Sequence, residues 1–174
     1  MVTAVNAAEK CRMEENMKID SLIFDLDGTL WDSSEGIVAT WALVLENYPE
    51  IHKKVTAEEL ASNFGLPLEQ IARNMFPDQP ESLRQQLMAE CGEKENLYLA
   101  EHGGLLYPKL EETLRNLSEK YPLFIVSNCQ DGYIQSFYSG NHTEKYFKDC
   151  ECIGVTGKSK GENIRLVMER NGLK

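Results

Sequence analysis

Asp25 and Asp27 stand two residues apart in Asp25-Leu26-Asp27-Gly28-Thr29-Leu30, at the end of the apolar run SLIFDL at 21–26. In an extended strand alternate side chains point the same way, so both carboxylates face one side. If the run is a parallel strand, that end is where open α/β sheets bind their ligands. Gly28 allows a sharp turn that brings main-chain N–H groups towards an anion. Two adjacent carboxylates repel each other, so one must be protonated or a cation must lie between them. Mg²⁺, a hard cation that prefers oxygen ligands, suits the pair. An EF-hand is excluded, because the glycine lies too close to the first aspartate and no acidic residue closes a loop of the right length. An Asp-Gly turn without chemistry and a glycosyltransferase-type metal site are the other readings of this segment.

Such residues need a scaffold. SLIFDL and LFIVS at 123–127 read as strands covered on both faces, since neither alternates; CECIGV at 150–155 reads as a third. Helical patterns lie between them. Leu110, Leu114 and Leu117 share one face of a helix starting near Pro108. Ile134 and Phe137/Tyr138 mark a second helix, with Asp131 as its expected N-cap. GENIRLVMERNG forms a third, ending at Gly172. Alternating strands and helices predict a parallel α/β sheet.

Residues 32–103 carry no convincing strand. Ser33 or Ser34 is suited to cap a helix bearing Ile37, Trp41, Val44 and Leu45, and Thr56 with Glu59 has the spacing of a capping box. Pro67 and Pro80 start two more helices, the last running through Leu83, Leu87 and Leu97, and Gly103-Gly104 is the expected hinge back. Trp31 and Trp41 are expected to pack in this helical unit or at its junction with the sheet.

The formal net charge is −10, so the chain has no general attraction for nucleic acid or an anionic membrane, and an anionic substrate requires local positive charge. No apolar run approaches the roughly 18 residues of a membrane span. The first sixteen residues have no apolar core and read as an unstructured extension, not a signal peptide. Five cysteines without a CxxC pair, and three isolated histidines, make no zinc site; reduced thiols in a cytoplasmic protein are expected.

The apolar strand followed by DLDGTL resembles the first motif of the haloacid dehalogenase superfamily. Two more motifs follow in order: IVSN at 125–128, and KSKGENI at 158–164 ahead of a helix. A helical insertion after the first motif is similar to the cap of phosphoglycolate-phosphatase-like and β-phosphoglucomutase-like members. The resemblance implies a Rossmann-like three-layer parallel sheet with a small all-helical cap, the core at 17–31 and 104–174 and the cap at 32–103. It implies Asp25 as nucleophile and Asp27 as acid/base. The amides near Gly28 and Thr29, with Ser127 and Asn128, would contact the phosphate. Lys160, or alternatively Lys158, would offset its charge. Mg²⁺ would be held by Asp25 and the Asp27 carbonyl. A Mg²⁺-dependent phosphatase of small phosphorylated metabolites follows, acting through an aspartyl-phosphate. The alternatives are a β-phosphoglucomutase-like phosphomutase and a non-catalytic fragment. No nucleic-acid or membrane partner is expected.

The superfamily's fourth motif, Gly-Asp followed by another Asp, would come on a strand after GENIRLVMERNG, but the sequence ends at Leu173-Lys174. On this reading the chain is truncated. The metal keeps two protein ligands and the strand bearing Asp25 becomes an exposed edge, so marginal stability and weak or absent activity are expected.

Overall fold

The computed structural model describes residues 19–174; the expected extension at 1–16 and Cys11 lie outside the described residues. Three strands, β1 (Leu22–Phe24), β4 (Leu123–Ser127) and β5 (Phe147–Cys152), form a parallel sheet in the order β1-β4-β5. Leu22 to Phe24 pair with Leu123 to Ile125, and Ser127 pairs with Cys152.

All five residues of β4 are buried because both faces of the sheet are covered. Leu123 and Ile125 face the main core, whereas Phe124 and Val126 pack with Ile23, Ile164 and Val167 on the other side. Ile164 and Val167 belong to α8 (Lys160–Asn171), so helices cover both faces and the architecture has three layers.

The third strand begins earlier than its composition predicts. Phe147-Lys148-Asp149-Cys150-Glu151-Cys152 is extended, and Ile153–Thr156 turns into the short helix α7. An edge strand carries charge without penalty when its charges are partnered. Here Arg170 of α8 donates to Asp149 at 2.7 and 2.9 Å and to Glu151 at 2.9 Å. A second departure is a two-residue antiparallel pair, β2 (Trp31–Asp32) with β3 (Leu105–Leu106), too short to leave a pattern.

Between β2 and β3 lie α1 (Ser34–Leu45), α2 (Ala57–Ala61), α3 (Leu68–Met75) and α4 (Glu81–His102). Thr56 accepts the Glu59 N–H and so caps α2. The Asp32 carboxylate accepts the Ser34 N–H at 2.9 Å at the start of α1, a task expected of a serine. Two further helices complete the fold, α5 (Leu110–Ser118) and α6 (Tyr133–Asn141). The N-cap of α6 is Gly132 at φ 85°, not Asp131, because the chain enters this helix through a left-handed turn.

The inserted helices and the sheet share one continuous apolar core that includes Trp31, Trp41, Leu87, Leu99, Ile125 and Phe137. Along α4 the buried side chains recur at Leu87, Cys91, Glu95 and Leu99. Leu97, expected on the apolar face, is 62% exposed on the opposite one. α4 lies so close to α6 that a β-carbon added at Gly140 would run into the Leu99 carbonyl and the Gly103 backbone. Gly140→Ala is therefore expected to destabilise the fold by about 3 kcal/mol, read from the urea midpoint; a loss near zero would contradict this close approach.

Candidate active site

Asp25 and Asp27 follow β1, and their surroundings differ sharply. Asp25 is about one-third exposed; its Oδ1 accepts the Leu26 N–H at 2.8 Å and its Oδ2 stands 2.6 Å from Lys160 Nζ. Lys160 is the first residue of α8. Ser159 caps that helix in a reciprocal box with Glu162, so the local sequence fixes where the lysine emerges. The lysine's charge thus adds to the positive end of a helix. Of the two candidate lysines, Lys160 is the one paired with Asp25.

Asp27 points into the protein. Its Oδ1 accepts from Trp31 Nε1 at 2.9 Å and Ser33 Oγ at 3.0 Å, and lies 2.9 Å from the Tyr133 hydroxyl. Burial raises its pKa to about 6; the bonds from Tyr133, Ser33 and Trp31 pull the other way, and the Asp25 charge adds to the rise. A carboxyl so placed exchanges a proton near neutrality, as an acid/base group must.

Ser127 ends β4, is 3% exposed, and opens onto a cavity bounded by Asp27 and the inserted helices. Next to it Asn128 donates through Nδ2 to the Gly65 carbonyl at 2.8 Å, joining the sheet to the turn between α2 and α3. That turn lies directly over the aspartates: a β-carbon on Gly65 would stand 3.9 Å from Asp25 Oδ2, and one on Gly28 would stand 3.7 Å from Phe64. Gly28 is at φ 71°, as a sharp turn requires. The Gly28 and Thr29 amides, expected to face an anion, donate instead to the Trp31 and Leu26 carbonyls at 3.1 and 3.2 Å. A phosphoryl oxygen would compete with those bonds, because the loop closes on itself through the Asp27–Trp31 bridge.

The cavity is partly open to solvent and has a volume of about 60 Å³. A second acidic group reaches it, Glu95 of α4, 5% exposed. Trp41 Nε1 donates to Glu95 Oε1, and Gln130 Nε2 donates to Oε2 at 2.9 Å. Burial raises the Glu95 pKa to about 7 against the pull of these two bonds.

That shift has a consequence for stability. Because the folded pKa lies above the unfolded 4.5, the folded state holds this proton more tightly. The group's stabilisation is complete below about pH 4.5 and is lost as pH rises through about 7, a change of about 3 kcal/mol. Glu95→Gln is expected to remove that part of the pH dependence. Urea unfolding of wild type and variant at several pH values between about 4.5 and 8 measures it, and parallel curves would contradict the assignment.

Among the described residues no cluster of three or more His, Cys, Asp or Glu side chains is placed to hold a metal ion. Mg²⁺ needs less, because it commonly takes one or two carboxylates and completes its shell with water and substrate phosphate. The groups that would hold such an ion here are the Asp25 carboxylate and the Asp27 main-chain carbonyl two residues on. Cys91, Cys129, Cys150 and Cys152 are free thiols, and no described helix is long and apolar enough to cross a membrane.

The sequence reading missed Glu95, Gln130 and Tyr133, and it gave Ser33 a capping role and Trp31 and Trp41 a packing role without their hydrogen bonds to the two acids. Only Glu95 left a signal there, as an acidic residue in the stripe Leu87, Cys91, Glu95, Leu99.

Comparison places this geometry among known proteins. A profile for haloacid dehalogenase-like hydrolases matches residues 22–174. A haloacid dehalogenase-like hydrolase from Bacteroides fragilis superposes with a TM-score of 0.74 at 23% identity, over 90% of this chain and 75% of that one. A predicted phosphoglycolate phosphatase from Haemophilus somnus gives 0.74 at 19% identity, over 91% and 74%. The magnesium-bound HAD-hydrolase YfnB from Bacillus subtilis gives 0.62 at 18%, over 88% and 74%. At these identities the likeness establishes the fold. No curated protein matches the sequence.

Proposed function

Because the chain belongs to the haloacid dehalogenase-like hydrolase family, we propose that it is a Mg²⁺-dependent phosphatase of small phosphorylated metabolites, with Asp25 as the residue that carries the phosphoryl group. The contact of Asp25 Oδ2 with Lys160 Nζ at 2.6 Å carries this reading. It brings a carboxylate and a lysine together at the carboxyl end of the sheet, in a chain of net charge −10, which supports the roles of nucleophile and phosphate-neutralising cation.

Asp25 attacks phosphorus and forms an acyl phosphate as the bond to the ester oxygen breaks. Asp27, protonated, gives its proton to the departing oxygen. The resulting carboxylate then takes a proton from the water that attacks the acyl phosphate, which frees Asp25 and inorganic phosphate. Lys160 and the Ser127 hydroxyl offset the charge on the phosphoryl oxygens. A Mg²⁺ ion held by the Asp25 carboxylate and the Asp27 carbonyl would supply further neutralisation of the phosphoryl charge. The turn at Phe64-Gly65 lies against the aspartates and narrows the approach to them.

Phosphomutase chemistry would call on the same residues. Product analysis with a sugar phosphate separates the two: released inorganic phosphate means hydrolysis, and an isomeric sugar phosphate means phosphomutase chemistry.

Hydrolysis of a generic aryl phosphate, with and without added Mg²⁺, tests the proposal. Turnover that needs Mg²⁺ and stops on chelation is the expected result. No phosphate release from any monoester, with Mg²⁺ present, would reject it and leave a non-catalytic protein. Lys160→Met is expected to lower kcat/KM about a hundredfold, and Lys158→Met to leave it within about twofold, as for a surface charge. Equal losses in the two variants would contradict the assignment of the lysine.

A further inference from the structure

The cavity between Asp27 and the inserted helices has an unusual electrostatic character for an enzyme of phosphate esters. Apart from the Ser127 end, its walls are mostly apolar, built from Ile37, Leu60, Phe64, Ile71 and Met88 among others. The ionisable acids that reach it are Asp27 and Glu95, and among the described residues no lysine, arginine or histidine lines it. Glu95 sits in a position an apolar residue would fill, 5% exposed on the buried stripe of α4.

Two neutral donors hold the Glu95 carboxyl in place, Trp41 Nε1 and Gln130 Nε2. A carboxylate oxygen accepts more than one hydrogen bond, so each retains a lone pair after these contacts. Gln130 belongs to the loop that follows Ser127, and the neighbouring Asn96 Nδ2 donates to the Asp131 carbonyl at 2.8 Å. Glu95 is thus fixed relative to the phosphate end of the site.

We propose that Glu95 is a specificity residue that selects phosphomonoesters whose alcohol carries a small cationic, hydrogen-bond-donating head, as in an aminoalkyl phosphate. A second anion on the alcohol is selected against, because it would be buried beside two acidic groups with no cation to meet it. Phosphoglycolate, with its carboxylate, falls in the disfavoured class, so the likeness to a predicted phosphoglycolate phosphatase does not extend to this pocket. An ammonium facing Glu95 gains a charge-assisted bond in a site of low polarity. This assignment rests on the phosphatase reading, whose substrate it specifies.

Binding and turnover separate the two. Calorimetric titration of the full chain in Mg²⁺ with 2-aminoethylphosphonate and with phosphonoacetate compares a cationic with an anionic head, neither being hydrolysed as an ester. The aminoethyl compound is expected to bind about tenfold or more tightly than the acetate. Glu95→Gln, near-isosteric and checked by its Tm, is expected to remove most of that margin. Equal affinities, a preference for phosphonoacetate, or no binding of either would overturn the proposal on the wild-type protein alone. An unchanged margin in folded Glu95→Gln would overturn it too. Binding preference without aryl phosphate turnover would reject hydrolysis and keep the subsite; turnover without preference would do the reverse.

Discussion

Asp25→Asn is expected to lower phosphatase kcat by about 10⁴-fold or more while leaving the protein folded. Losses of that size accompany removal of a covalent nucleophile, because the remaining groups act only on an intermediate that no longer forms. Asparagine keeps the shape and an oxygen that still accepts the Leu26 N–H, now made to Asp25 Oδ1 at 2.8 Å. The variant loses the ion pair with Lys160, whose partners are each about one-third exposed. Exposed pairs contribute about 0–1 kcal/mol, so the melting temperature should barely move. Turnover that survives in Asp25→Asn would remove Asp25 from the mechanism, whereas a variant that fails to fold would mean the ion pair matters more than its exposure indicates.

Asp27→Asn is expected to cost 10²- to 10⁴-fold in kcat, the range for general acid–base groups. The surroundings of Asp27 make it a clean substitution. Oδ1 meets Trp31, Ser33 and Tyr133, all able to donate to the asparagine carbonyl oxygen, which leaves the amide nitrogen towards the cavity. The hydrogen-bonded frame therefore survives while the exchangeable proton is lost. The loss should be greatest for alkyl phosphates, whose departing oxygen most needs protonation, and smaller for aryl phosphates with acidic leaving groups. Equal losses across leaving groups would place Asp27 in water activation alone. A loss below about threefold for all of them would exclude it as acid or base.

The sequence made some of this legible for local reasons. Two aspartates at alternate positions after an apolar run need no distant information to be placed side by side. The uniform apolarity of 123–127 reports a strand covered on both faces, as the split of Leu123 and Ile125 from Phe124 and Val126 bears out. The last strand was harder to find, because Lys148, Asp149 and Glu151 make it look like a loop until Arg170 is seen across from them. The rest of the site depends on partners far apart in the chain. Tyr133 reaches Asp27 across 106 residues, and Trp41 reaches Glu95 across 54. No periodicity encodes such meetings. An apolar stripe interrupted by Glu95 is the sort of clue that does survive in one dimension, and Leu97, which gave the helix the wrong face, obscured it.

The central claim is that Asp25 carries the phosphoryl group, and the most direct measurement is acid quench of the enzyme during turnover in Mg²⁺, followed by peptide mass analysis. The account predicts one added phosphoryl group on the peptide containing Asp25, labile to mild base as an acyl phosphate is, and missing from Asp25→Asn. Turnover with no phosphorylated peptide at any quench time, or with the phosphoryl group on another residue, would contradict it.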